Sequence, residues 1–218
     1  MPRINFDMKN LHDLVYSEDV LDFVKQVGHF SVLVTGDTVT ERKNFVIELL
    51  KVLPAMYSSM LRIQVGEPFY NAGNEKFVSE EDWSTIYQRV LSITGSQNEY
   101  LGIPDDDEYD RMDLISREIS EDVADIYQDV RDFIELYRNG TEEIMNDALW
   151  ECRMNFESYW GKKLLRVCGA LHNIMLMDED ALGRMDQEWE EKHGGKEINT
   201  DEWFISKRQK DLGGDSDI

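Results

Sequence analysis

The chain is predicted to be all-α, an irregular helical bundle built on one long C-terminal helix. Three observations carry that prediction. Four prolines and few alternating apolar runs argue against a sheet-rich domain, because strands need period-two patterning and regular turn chemistry. Apolar residues recur at helical spacing through Ile119, Val123, Ile126, Tyr127, Val130, Phe133, Ile134 and Tyr137. A proline-free stretch then carries a single apolar seam for about thirty residues, or roughly 45 Å at 1.5 Å per residue.

Taken in chain order, the first helix begins after Ser17 and uses Val20, Val24 and Val27. Its end, Phe30-Ser-Val-Leu-Val34, resembles a strand locally and is assigned to the helix. Thr38-Val-Thr-Glu41 fits a capping box, opening a helix through Phe45, Val46, Leu49, Leu53, Tyr57 and Met60. Pro54 removes one backbone bond inside it, so a bend near Leu50 to Leu53 is expected. Ser79-Glu-Glu-Asp82 starts another helix, with Trp83, Ile86, Tyr87, Val90 and Ile93 inward and Gly95 closing it. The Ile119–Arg138 helix stops at Asn139-Gly140, where both residues tolerate the left-handed conformation. Thr141 then caps the spine helix, whose seam runs from Met145 to Met175 past Cys152, Phe156, Trp160, Leu164 and Cys168. Gly161 and Gly169 lie inside it, and close crossing of a neighbouring helix is the expected reason for both.

Two connections, Gln64 to Val78 and Ser96 to Arg111, are predicted as loops. Residues 1–177 are assigned to the helical bundle domain. Residues 178–218 hold 13 acidic and 6 basic residues with two Gly-Gly pairs, and are expected to form an acidic, partly disordered C-terminal tail.

Charge excludes several functions. With 23 Lys and Arg against 45 Asp and Glu, the net charge is −22, which opposes direct contact with nucleic-acid phosphates or anionic lipid. Two cysteines without a Cys-x-x-Cys pair build neither a disulfide framework nor a thiolate zinc site. No leader or membrane-spanning run is evident, so a cytoplasmic chain is expected. Neither a phosphate-binding glycine loop nor a Gly-x-Ser-x-Gly elbow occurs, so no catalytic residue and no cofactor is assigned.

The run Glu48-Leu-Leu-Lys-Val-Leu-Pro-Ala-Met-Tyr57, with Phe30-Ser-Val-Leu-Val-Thr-Gly36 before it and the tryptophans Trp150 and Trp160 after it, resembles an uncharacterised bacterial family of helical proteins of about this length. The resemblance extends to Leu176. It implies an all-helical fold and no assigned activity, so it transfers no catalytic residue.

The main compositional event is acidic. Gln97 to Gly140 holds 14 acidic and 4 basic residues. Glu118, Glu121, Asp122, Asp125, Asp129 and Asp132 fall at helical spacing opposite the apolar stripe, and are expected to form a solvated ridge. Such a ridge suits a basic protein surface, since complementary charge steers and orients association. Trp203 and Phe204 beside Lys207, Arg208 and Lys210 add an aromatic anchor. A non-enzymatic protein–protein interaction module follows as the expected function. The alternative is a divalent-metal-dependent enzyme using the loop carboxylates of Asp105-Asp-Asp-Glu-Tyr-Asp110 and His172. Those loop acids lack the spacing and glycine of a calcium loop, and Cys168 with His172 supplies only two ligands, so no metal site is assigned.

Overall fold

A computed structural model describes residues 8–36, 41–70, 74–102 and 114–193. The fold is all-α. Helices α1 (Met8–Val15), α2 (Glu18–Thr35), α3 (Arg42–Arg62) and α4 (Glu80–Thr94) precede a small hairpin, β1 (Glu99–Gly102) and β2 (Ile115–Glu118). Helices α5 (Ile119–Asn139), α6 (Glu142–Asn155), α7 (Gly161–Leu176) and α8 (Glu179–His193) follow. The expected tail therefore opens on a helix. It belongs to a separate compact unit beginning at Glu179.

Local chemistry sets the helix starts. Ser17 caps α2 by accepting the Val20 N–H, and Ser79 with Asp82 closes a reciprocal capping box at α4. The Phe30–Val34 run is helical, as assigned, with Phe30, Ser31 and Val34 buried. α3 begins at Arg42 and continues through Pro54, while the Thr38 end of the expected capping box lies outside the described residues. Gly95 ends α4 at φ 56°, a left-handed conformation that glycine takes without a Cβ penalty.

The hairpin corrects the expected plain loop after Ser96. β1 and β2 pair antiparallel, with Tyr100 opposite Arg117 and Leu101 opposite Ser116. It delivers the chain into α5 through Asn98. The Asn98 carbonyl accepts the Ile119 N–H at 2.8 Å, and its side-chain oxygen accepts the Ser120 N–H at 2.9 Å. These bonds satisfy helix-start donors that no local side chain reaches.

α5 occupies the middle of the bundle. It packs against α4, α6, α7 and α2, while α3 packs on α2 and α7, and α1 on α6. Phe23 of α2 meets Phe133 of α5 with ring centroids 5.4 Å apart, and stacks on Trp160 at 6.3 Å. The Tyr137 hydroxyl donates to the Val15 carbonyl at 2.6 Å, tying α5 to the end of α1.

The long spine helix is present with one interruption. Between α6 and α7 the chain makes a π-helical turn over Phe156–Trp160. Such turns hold one extra residue per turn and shift the faces of the helix on either side. Gly161 is required by that turn: a Cβ there would lie 2.4 Å from the Phe156 carbonyl oxygen. The expected crossing of a neighbouring helix is thus replaced by a contact within the same helix. At Gly169 a Cβ would meet nothing within 4 Å, so no crossing explains it either.

Candidate functional site

The acidic residues of α5 do not form a solvent-facing ridge. Asp122 is 1% exposed, Asp132 4% and Glu121 9%, while Glu118, Asp125 and Asp129 are half-buried. The physical reason is the central position of α5. Its apolar stripe meets one set of neighbours and its carboxylate face meets another, so both are covered. Each carboxylate then needs a partner, because an unpaired buried charge costs several kcal/mol.

The N-terminal half of the face is built around Lys163 of α7. Its ammonium lies 2.7 Å from Asp125, 3.0 Å from Asp122 and 3.7 Å from Glu121. It also sits 4.9 Å from the centre of the Tyr159 ring. Burial opposes its charge, yet Asp125, Asp122, Tyr159 and Glu121 outweigh that cost and push its pKa well above the usual lysine value. Asp125 is saturated further by the Trp83 indole N–H at 2.8 Å and the Tyr159 hydroxyl at 2.6 Å. The Tyr100 hydroxyl donates to Asp122 from β1, and the Tyr87 hydroxyl donates to Glu118 at 2.5 Å. Burial and the facing carboxylates raise the pKa of Tyr87 and Tyr100 above the usual phenol value.

The C-terminal half holds the segments that join α3 to α4. Asp132 accepts the backbone N–H of Phe77 at 2.7 Å and of Val78 at 3.1 Å through one oxygen. Asp147 of α6 does the same for Phe69 at 2.7 Å and Tyr70 at 2.8 Å, using both oxygens. Asn146 donates to the Glu67 carbonyl at 2.9 Å. Asn74 donates to Glu151 at 2.6 Å and to the Asp147 carbonyl, and Lys76 pairs with Glu151 at 2.7 Å. Between these groups lies a chamber of about 10 Å³, lined by Asn74, Lys76, Asp129, Asp132, Glu151 and Asn155 among others. Burial pushes the Asp129 carboxyl up to about 7, against the opposing pull of the Asn155 amide, which donates to it at 2.7 Å.

Burial and facing charges in this arrangement set protonation states. Lys163 is held protonated, and Tyr87 and Tyr100 are held as phenols. Burial keeps the Cys152 thiol well above its usual pKa and pushes Cys168 up to about 11. Among the described residues no three His, Cys, Asp or Glu side chains are gathered so as to hold a metal ion. His172, the histidine of the alternative metal-dependent reading, is exposed on α7. Asp105–Asp110, Trp203 and Phe204 lie outside the described residues. Among the described residues no helix is long and apolar enough to cross a membrane.

Residues 14–177 match the model of DUF5063, a domain of unknown function. The chain belongs to this family. The resemblance to an uncharacterised helical family, read from the runs around Phe30 and Glu48, is thereby shown. A crystal structure of protein BF1032 from Bacteroides fragilis, a structural-genomics target, is similar to this DUF5063 chain at 31% identity and a TM-score of 0.67. The similarity covers 76% of this chain and 98% of that one. No curated protein matches the chain. Sequence reasoning missed Lys163, Asp147 and Asn146 as organisers of the DUF5063 interior. No local signal marks them, because a polar residue next to a seam residue is ordinary on an amphipathic helix.

Proposed function

We propose that this protein is a non-catalytic, cytoplasmic interaction module that docks a basic segment of a partner protein on the face around Phe69, Tyr70 and Phe77. One observation carries the reading. Phe69, Tyr70 and Phe77 are 46%, 58% and 41% exposed, while the backbone N–H groups of the same three residues are pinned by buried carboxylates. Irregular chain that is fixed from beneath, yet presents three rings to water, has the properties of a preorganised anchor surface. Aromatic side chains bring large contact area at low conformational cost.

The chemistry of the partner follows from the rim. Glu67, Glu75, Glu80 and Glu81, close to the rings in sequence, are exposed, and the cation Lys76 is engaged by Glu151 and Asp132. Lysine or arginine beside aliphatic groups would complement both parts of this face. Of the acidic residues first read as the contact ridge, Asp132 serves such docking from below, by holding the segment that carries Phe77.

Selection from a displayed random-peptide library tests it. Recovered peptides are expected to carry Lys or Arg next to apolar residues. Their binding is expected to weaken at least about tenfold in the F69A/Y70A/F77A variant, since truncating a single anchor costs about 1–2 kcal/mol. Peptides without basic enrichment, or binding indifferent to the triple variant, would overturn the proposal.

A further inference from the structure

We infer that the cleft where the end of α2 meets α4 and α5 is a binding site for a neutral, hydroxyl-rich small molecule of sugar size, with the Tyr127 hydroxyl as one of its contacts. The site is separate from the docking face and does not rest on it.

The cleft has a volume of about 420 Å³, within the range of roughly 300–1,000 Å³ that small-molecule sites occupy. Three helices line it, α2 through Val34 and Thr35, α4 through Thr85, Ile86 and Ser92, and α5 through Tyr127. Tyr127 sets it apart from ordinary surface relief. Of the buried tyrosines among the described residues, Tyr87 donates to Glu118 at 2.5 Å and Tyr137 to the Val15 carbonyl at 2.6 Å. Tyr127 is 7% exposed, and its hydroxyl has no hydrogen-bond partner among the described residues. A buried phenol ordinarily finds a partner, so this one is left for an occupant of the cleft.

The other polar groups decide what that occupant is. Thr35 donates to the Ser31 carbonyl at 2.8 Å, Thr85 to the Glu81 carbonyl at 2.8 Å and Ser92 to the Arg89 carbonyl at 2.7 Å. Each hydroxyl proton is thus spent on its own helix, and each oxygen keeps capacity to accept. Asp82, also in the lining, takes both Ser79 bonds on one carboxylate oxygen, at 3.0 and 2.7 Å, and its other oxygen accepts nothing among the described residues. Four acceptors along one cleft call for a ligand with several donors. Charge narrows the class further. Arg89 lines the same cleft, its Nη2 3.7 Å from where a Cβ on Gly36 would stand. An ammonium would meet this cation and a phosphate would meet Asp82, whereas a neutral polyol incurs neither repulsion. Val34 and Ile86 give the carbon face of a sugar ring an apolar wall.

Two-dimensional NMR of the full chain tests this with D-glucose, D-galactose, D-mannose, D-ribose and myo-inositol. At least one of them is expected to shift the amides of Thr35, Thr85 and Ser92 together and to saturate. Glycine, glutamate and inorganic phosphate at equal concentration are expected to leave those amides in place. Tyr127→Phe is expected to weaken binding of that polyol about two- to tenfold, the span of one neutral hydrogen bond, at an unchanged melting temperature, because the hydroxyl has no protein bond to lose. Thr85→Val, which removes one acceptor, is expected to weaken it by a similar factor. The proposal is overturned if no polyol moves these amides, if an amino acid or phosphate takes the cleft instead, or if Tyr127→Phe binds as well as wild type. A lower melting temperature for Tyr127→Phe would overturn it too, since the hydroxyl would then have a partner within the protein. Failure of the peptide selection alone would remove the docking face and leave the cleft standing.

Discussion

The ammonium of Lys163 lies 2.7 Å from Asp125 and 3.0 Å from Asp122, with 4% of the lysine side chain exposed. Two carboxylates of α5 and one cation of α7 are thereby tied into a single electrostatic unit. Removing one partner of a buried ion pair leaves its counter-charges without compensation, which costs far more than the pair contributes over an apolar replacement. Lys163→Met is expected to lose about 3–5 kcal/mol in urea unfolding. Adding Asp122→Asn to that variant should restore part of the loss. A single variant as stable as wild type would mean the pair is not buried in solution.

Asp147 offers a second test, of loop anchoring. Its carboxylate is the acceptor for two consecutive backbone N–H groups, at Phe69 and Tyr70. Asp147→Ala should destabilise the fold by about 2–3 kcal/mol, the range for hydrogen bonds to a charged group. Faster exchange of those two amides should accompany it, and Asp147→Asn, which keeps one acceptor oxygen, should fall between.

The two spine glycines should respond with opposite sign. At Gly161 a Cβ would meet the Phe156 carbonyl at 2.4 Å and ring atoms of Phe156 at 2.9 Å, so Gly161→Ala should cost about 1–3 kcal/mol through forced displacement. At Gly169 there is open space, so Gly169→Ala should gain up to about 1 kcal/mol from helix propensity. Thermal melts of both variants decide the matter.

Global stability should carry the imprint of Asp129. Its folded pKa is raised to about 7, so the native state binds more protons than the unfolded state between the ordinary carboxylate range and neutrality. Its contribution is therefore present at low pH and lost as pH rises to about 7, on the order of a few kcal/mol. Denaturant midpoints across that window should fall less steeply for Asp129→Asn than for wild type.

Both thiols should resist alkylation in the native state. Cys152 is buried and Cys168 is pushed up to about 11, so little thiolate exists at neutral pH. Modification by iodoacetamide should be slow in buffer and complete in urea. Rapid native labelling of Cys152 would contradict the packing around the π turn.

The helices were legible because apolar periodicity and capping are local. Ser17, Ser79 with Asp82, and the Ile119–Tyr137 stripe each announce an element within a few residues. The hairpin was not, since its register depends on Asn98 meeting residues about twenty positions later. The larger misjudgement concerned which way the acids face. Amphipathic patterning assumes that the polar side of a helix is wet. In α5 that side is largely covered because Lys163, Tyr100, Trp83 and the loop amides come from distant parts of the chain. Spacing of six carboxylates shows that they align, and says nothing of what covers them. The π turn was equally hidden, with Gly161 as its one trace.

Asn98 makes the start of the central helix depend on the helix before it. It holds the first turn of α5 from across the hairpin while also accepting from Thr94 at the end of α4, so one side-chain oxygen joins the two helices. A fragment starting at Ile119 would retain the sequence of α5 and lose the clasp that sets its first turn, so the N-terminal half acts as a template for the rod it surrounds.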